Sequence, residues 1–135
     1  MDIWLGDGDW DLITFNFGIH DRRASDAAYE KRLVQIVKRL KATDAKLVWV
    51  NTTPVPEGAN EYVAGAVDRL NKVAAAIMKE QNIPVLDMNR AITPLLAQYQ
   101  LPENCHFKEE GYQFMGKLLA DKVLAELPSS TENSQ

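Results

Sequence analysis

Two histidines carry most of the chemical potential of this 135-residue chain. His20 lies in Gly18-Ile19-His20-Asp21, directly after an apolar run. His106 lies in Pro102-Glu103-Asn104-Cys105-His106-Phe107, just ahead of a long helical pattern. Histidine is the usual general base near neutral pH because its charge changes there. Strand ends and helix starts are also where a rigid scaffold presents reactive groups. A base of this kind serves a nucleophile, and candidates are sparse. The serines are Ser25, Ser129, Ser130 and Ser134; Ser25 occupies a helix N-cap position and the others a polar tail. Cys105, the single cysteine, excludes an internal disulfide and a multi-cysteine metal site. As the sequence neighbour of His106, its side chain is expected to point away from the imidazole. Metal-ligand spacing, glycine-rich phosphate cradles and dinucleotide fingerprints are missing, so no metal and no cofactor is expected.

Two such loops need elements to hold them. Three short apolar runs alternate with longer helical patterns: Leu12 to Phe17, closed by Gly18; Lys46 to Thr53, closed by Pro54; and Ile83 to Met88. Each is rich in β-branched or aromatic residues and bounded by turn formers, the pattern of a buried parallel strand. Tyr29, Leu33, Ile36, Val37 and Leu40 share one face of a helix that Ser25 or Asp26 can cap. Val63, Ala66, Val67, Leu70, Val73, Ala74 and Ile77 form the stripe of a second helix. A shorter helical piece runs from Ile92 to Tyr99. A last helix, Glu110 to Leu127, carries Phe114, Met115, Leu118, Leu119 and Val123, with Pro128 as its stop. Strand and helix in alternation predict an α/β fold with right-handed crossovers around about three parallel strands. In such sheets the active crevice lies beyond the carboxyl ends of the strands, here Gly18–Asp21, Asn51–Pro56 and Asp87–Arg90. Residues 1–128 read as one domain, and 129–135 as a polar, disordered tail.

Composition narrows the partners. A net charge of -4 and a pI near 5.1 argue against nucleic acid and anionic membrane, both of which want a basic face. The basic residues between Arg22 and Lys41 are interleaved with acids and apolar positions, as on a solvated helix face. No apolar run is long enough to span a bilayer, and the start MDIWLGDGDWD is acidic, unlike a signal peptide. As written the chain reads as cytoplasmic; a targeting segment ahead of it would make it secreted.

The residues around both histidines resemble a known family. Trp10-Asp11-Leu12-Ile13-Thr14-Phe15-Asn16-Phe17-Gly18-Ile19-His20-Asp21 is similar to the third conserved block of SGNH (GDSL-type) hydrolases, a strand ending in Gly-x-Asn-Asp. It is closer still to a subgroup that reads Phe-Asn-x-Gly-x-His-Asp. Glu103-Asn104-Cys105-His106-Phe107-Lys108-Glu109-Glu110-Gly111-Tyr112 resembles the fifth block, Asp-x-x-His-Phe-(Thr/Ser)-x-x-Gly-Tyr. Lys46 to Gly58, with its Asn-Thr-Thr-Pro-Val-Pro core, falls where that family has its fourth strand and a substrate-side loop. The resemblance runs from about Trp4 to Leu127. It implies a three-layer α/β/α, flavodoxin-like parallel sheet and a serine ester hydrolase acting on acyl or acetyl esters, carbohydrate esters among them.

In that family a serine in Gly-Asp-Ser attacks the ester carbonyl, the fifth-block histidine takes its proton, and an aspartate three residues earlier orients the imidazole. Carried onto this chain, the resemblance makes His106 the base. Glu103 matches the acid by spacing, a departure from aspartate; Asn104 is the alternative, a neutral partner. The oxyanion-hole asparagine of the third block corresponds to His20, whose ring N–H can donate in the right tautomer or protonation state. Gly18 and Asp21 flank it, and Asn16, Thr52 and Thr53 complete the candidate oxyanion and substrate group. The Gly-Asp-Ser block and the block after it have no counterpart; Gly6-Asp7-Gly8 ends in a residue without a nucleophile. By the family's strand order, the missing first strand would pair with Leu12–Phe17. The apolar edge so exposed predicts a homodimer or larger assembly covering residues 12–17. The expected function is ester hydrolysis without an identifiable serine; the alternative is a non-catalytic binding or assembly module that keeps the fold.

Overall fold

A computed structural model describes Leu5, Gly6 and residues 8–127. Three parallel strands lie side by side in chain order: β1 (Leu12–Phe15), β2 (Lys46–Val50) and β3 (Val85–Leu86). Leu12 pairs with Lys46 and Phe15 with Trp49, while Trp49 and Val50 pair with Val85 and Leu86. Each strand is shorter than its apolar run, for a reason that bears on the site. Beyond Phe15 it is the side chain of Asn16 that reaches β2, donating to the Val50 carbonyl at 2.7 Å. Beyond Val50 the backbone groups of Thr52 bond to a helix side chain, Asn71. Pro84 has no N–H and gives the sheet only its carbonyl, 2.9 Å from the Trp49 nitrogen.

Helix α1 (Asp26–Lys41) follows β1, and its N-cap is Ser25, whose hydroxyl accepts from the Ala28 N–H. Tyr29, Leu33, Val37 and Leu40 are buried on its inner face, with Ile36 half-buried beside them. Helix α2 (Ala66–Glu80) starts later than Val63 suggests. Gly65 precedes it at φ 68°, a left-handed conformation that glycine adopts without cost and that breaks the helical path. Ala66, Leu70, Ala74, Ile77 and Met78 form its buried stripe. These two helices pack against each other, and with Phe15, Leu47 and Trp49 they close one core. Phe15 and Trp49 meet edge to face, centroids 5.1 Å apart. Val48, fully buried, points to the opposite face by the alternation of a strand.

The helical piece expected over Ile92–Tyr99 starts earlier and is interrupted. Helix α3 (Met88–Ile92) is capped by the Asp87 side chain, Pro94 sits in a tight turn over Thr93–Leu95, and helix α4 (Leu96–Tyr99) follows. The last helix, α5 (Glu109–Glu126), contacts α3 and α4. Its stripe is less covered than its periodicity predicts: Phe114, Met115, Leu118, Leu119 and Val123 are half-buried, and Leu124 is 70% exposed. Among the described residues, nothing pairs with the outer edge of β1. No described helix is long and apolar enough to cross a membrane. Trp4, Asp7, Pro128 and the tail 129–135 lie outside the described residues.

Candidate active site

The carboxyl ends of β1 and β2 open onto three segments: the turn after β1, the long connection from Asn51 to Gly65, and the loop between α4 and α5. The turn after β1 is a single 3-10 turn over Ile19–Asp21, closed by the Asp21 N–H on the Gly18 carbonyl at 2.8 Å. Gly18 is buried in extended backbone, so its conformation does not require glycine. Space does: a Cβ at this position would sit 2.1 Å from Thr52 Oγ1. From the other side, the Tyr29 hydroxyl donates to the Phe17 carbonyl at 2.6 Å. Burial, and then the charge of Asp21, push that phenol far above its ordinary range, so it remains a proton donor. Asp21 is held by Arg32, which leaves His20 exposed and without a side-chain hydrogen bond among the described residues.

His106 sits in a hairpin-like loop. Gln100 and Phe107 form an antiparallel bridge, the Leu101 N–H meets the His106 carbonyl at 3.0 Å, and Lys108 N–H meets the Tyr99 carbonyl at 2.7 Å. Buried Gln100 ties the loop to the Asn51–Gly65 connection by donating to the Pro54 carbonyl at 2.8 Å. Inside the loop, Asn104 Oδ1 accepts the backbone N–H of His106 at 2.9 Å and lies 2.7 Å from His106 Nδ1. The backbone bond identifies that Asn104 atom as the amide oxygen. Nδ1 must then carry the ring proton, and Nε2 presents a lone pair. Glu103, matched to the orienting acid by spacing, is turned elsewhere. At φ 50° it adopts a left-handed conformation, uncommon for a residue with a side chain, and packs on Gly58, where a Cβ would meet its Cγ at 2.5 Å.

Cys105 is closer to the ring than expected, its Sγ 3.5 Å from His106 Nδ1. Burial, together with a hydrogen bond to Glu61 and that carboxylate's charge, pushes the thiol up, which outweighs the opposing pull of a backbone hydrogen bond and of Arg22. A thiol kept protonated in this way is a poor nucleophile. Glu61 and Arg22 had no sequence signal, since neither stands in a motif.

A family model for GDSL-like lipases and acylhydrolases matches residues 3–114. The chain belongs to that family. No curated protein matches it at a significant level. Among solved structures, the lipase/acylhydrolase from Enterococcus faecalis superposes with a TM-score of 0.76 at 22% identity, over 87% of this chain and 63% of that one. A member of the lipolytic G-D-S-L family from Veillonella parvula gives 0.72 at 22% identity, over 93% and 71%. A catalytic mutant of an acetylxylan esterase from Geobacillus stearothermophilus gives 0.70 at 16% identity, over 89% and 64%. The chain thus spans 63% of the length of the Enterococcus protein. At these identities the likeness is one of fold.

Several polar residues of this GDSL-like site are already engaged. Asn16 gives its Nδ2 to the Val50 carbonyl at 2.7 Å and to Thr52 Oγ1 at 3.2 Å, spending both amide protons on the scaffold. Thr52 is 6% exposed and packs on Gly18, facing the fold more than the crevice. Thr53 is half-buried beside it. Both imidazoles stay exposed. Along the outer edge of β1 runs a groove of about 580 Å³, lined by Leu5, Ile13, Phe15, Phe17 and Leu40 and ending at Gly18–His20.

Proposed function

We propose that this GDSL-like chain supplies the general base and an oxyanion donor for hydrolysis of acyl or acetyl esters, with carbohydrate esters as the substrate class. The observation that carries the proposal is the orientation of His106, with Nδ1–H committed to Asn104 and Nε2 left as a lone pair in an exposed ring. Nε2 takes the proton of an attacking hydroxyl as the C–O bond forms, then returns it to the departing alkoxide. His20 donates a ring N–H to the carbonyl oxygen as negative charge builds there. The carbohydrate ester is supported by the third-block subgroup pattern and by the fold shared with an acetylxylan esterase. Hydrolysis of p-nitrophenyl acetate by wild type and His106→Ala tests the base. A loss of about 100-fold in the enzyme-dependent rate is expected, the lower range for general-base catalysis; equal rates would remove His106 from the chemistry.

A second reading, a binding or assembly module, has one observation in its favour: Ser25, the only serine among the described residues, is spent as the N-cap of α1. A fluorophosphonate probe separates the two, since labelling of any serine excludes the module. Under either reading, we propose that a second copy covers the β1 edge along residues 12–17. Sedimentation at micromolar concentration should show a dimer, and a lone monomer would remove that assembly.

A further inference from the structure

We propose that Asn71, on the inner side of α2, is the positioning residue of the His20 turn. Beyond Asn51, whose N–H still meets the Leu86 carbonyl at 3.3 Å, the chain has left the sheet, yet both backbone groups of Thr52 are paired. Asn71 Oδ1 accepts the Thr52 N–H at 2.9 Å, and Asn71 Nδ2 donates to the Thr52 carbonyl at 2.8 Å. One primary amide thus takes the place that a neighbouring strand would occupy. Among side chains of this reach, asparagine alone offers an acceptor and a donor in that geometry; aspartate lacks the donor, and threonine has a single oxygen. Asn89 strengthens the hold with its own Nδ2 on the Thr52 carbonyl at 2.8 Å, and Asn51 fixes Asn89 through its backbone N–H at 2.8 Å. Asn71 is the one residue that grips Thr52 from both sides.

Thr52 passes this placement on. Its Oγ1 accepts from Asn16 at the end of β1, and its side chain fills the space where a Cβ of Gly18 would stand. Gly18 in turn closes the 3-10 turn that carries His20. The path from α2 to the imidazole therefore has three links: amide pair, van der Waals contact and turn. A polar residue between buried Leu70 and Ala74 is costly for a helix unless its polar atoms are matched, and here they are. The importance of the His20 turn rests on the proposed ester hydrolysis; the coupling itself does not, and its test uses no substrate.

The test is NMR on the intact chain. In Asn71→Ala, the Thr52 amide should exchange about tenfold faster, as expected for one lost hydrogen bond. The amide signals of Gly18 and Ile19 and the ring C–H signals of His20 should move with it, while the amides of Leu12–Phe15 keep their protection. A residue that merely stabilises the fold would not move the His20 ring signals in the folded protein. Thr52→Ala, which keeps the backbone pair and removes the Oγ1 seated against Gly18, should shift the same turn signals and leave the Asn71 side-chain amide signals in place. It decides the matter should Asn71→Ala not fold. Unchanged signals from Gly18 to His20 in the folded variant overturn the proposal, as does a Thr52 amide that stays protected in Asn71→Ala.

Discussion

The two histidine segments are held in opposite ways. The His20 turn has its backbone fixed from several sides, by Thr52 against Gly18, by Tyr29 on the Phe17 carbonyl and by Arg32 on Asp21. Its imidazole is free. The His106 loop is tied by a one-rung bridge, by Gln100 on the Pro54 carbonyl and by Glu103 packed on Gly58, and its imidazole is fixed by Asn104. The difference fits the roles proposed above for the two rings. A donor to a developing oxyanion has to arrive at the right place, and a rigid backbone can deliver it. A base has to present one particular nitrogen, and only a bond to the other nitrogen secures that.

This contrast is broken most severely at Gly18. Gly18→Val places carbon atoms where Thr52 Oγ1 stands, 2.1 Å from an ideal Cβ, and Thr52 is itself anchored by Asn71. Overpacking against a neighbour that cannot retreat should cost about 3 kcal/mol. Urea denaturation measures it. A cost below about 0.5 kcal/mol would mean that the turn is looser than its contacts indicate.

The rigid backbone was the part that the sequence exposed least. The alternation of apolar runs and stripes placed the α/β sheet, its three parallel strands and the buried faces of α1 and α2, because burial and periodicity are local signals. Spacing placed His20 and His106 at element boundaries. The choice between Glu103 and Asn104 as the neighbour of His106 was not legible, because Glu103 has the right spacing but a left-handed φ that sends its side chain to Gly58. Asn71 was hidden for a different reason. It lies 19 residues from Thr52, and an asparagine inside a helical stripe announces a matched polar group without saying which group it meets. The half-exposed stripe of α5 is likewise invisible in periodicity, which reports that a face is apolar and not that it is covered.

A gentler change to the same turn is Tyr29→Phe. The phenol gives one hydrogen bond to the Phe17 carbonyl, so the substitution should cost about 1 kcal/mol at neutral pH. Its pH dependence has a definite sign. Burial holds the folded-state value well above the ordinary tyrosine value of about 10, so the unfolded chain loses this proton first. The stability it contributes is complete below about pH 10 and falls as pH rises above it. Stability curves from pH 8 to 11.5 should therefore drop less steeply for Tyr29→Phe than for wild type. Parallel curves would show that the phenol does not titrate with folding.

The smallest expected effect bears on the His106 side of the contrast. Asn104→Leu removes the acceptor at Nδ1 and leaves the loop's bridge and its Gln100 tether intact. Loss of a hydrogen bond worth about 1 kcal/mol changes a tautomer ratio roughly fivefold. The ring should then populate the Nε2–H form, which has no lone pair at the nitrogen proposed to act as the base. Ring nitrogen shifts and two-bond proton couplings report that ratio directly, with no need for turnover. Asn104→Asp should move it the other way, because a charged acceptor bonds about twice as strongly as a neutral one. A ratio unchanged in both variants would transfer the orienting role to the remaining neighbour of Nδ1, Cys105 Sγ at 3.5 Å. The ring would then be held by a weak sulfur contact, and the two histidines would differ in their backbones alone.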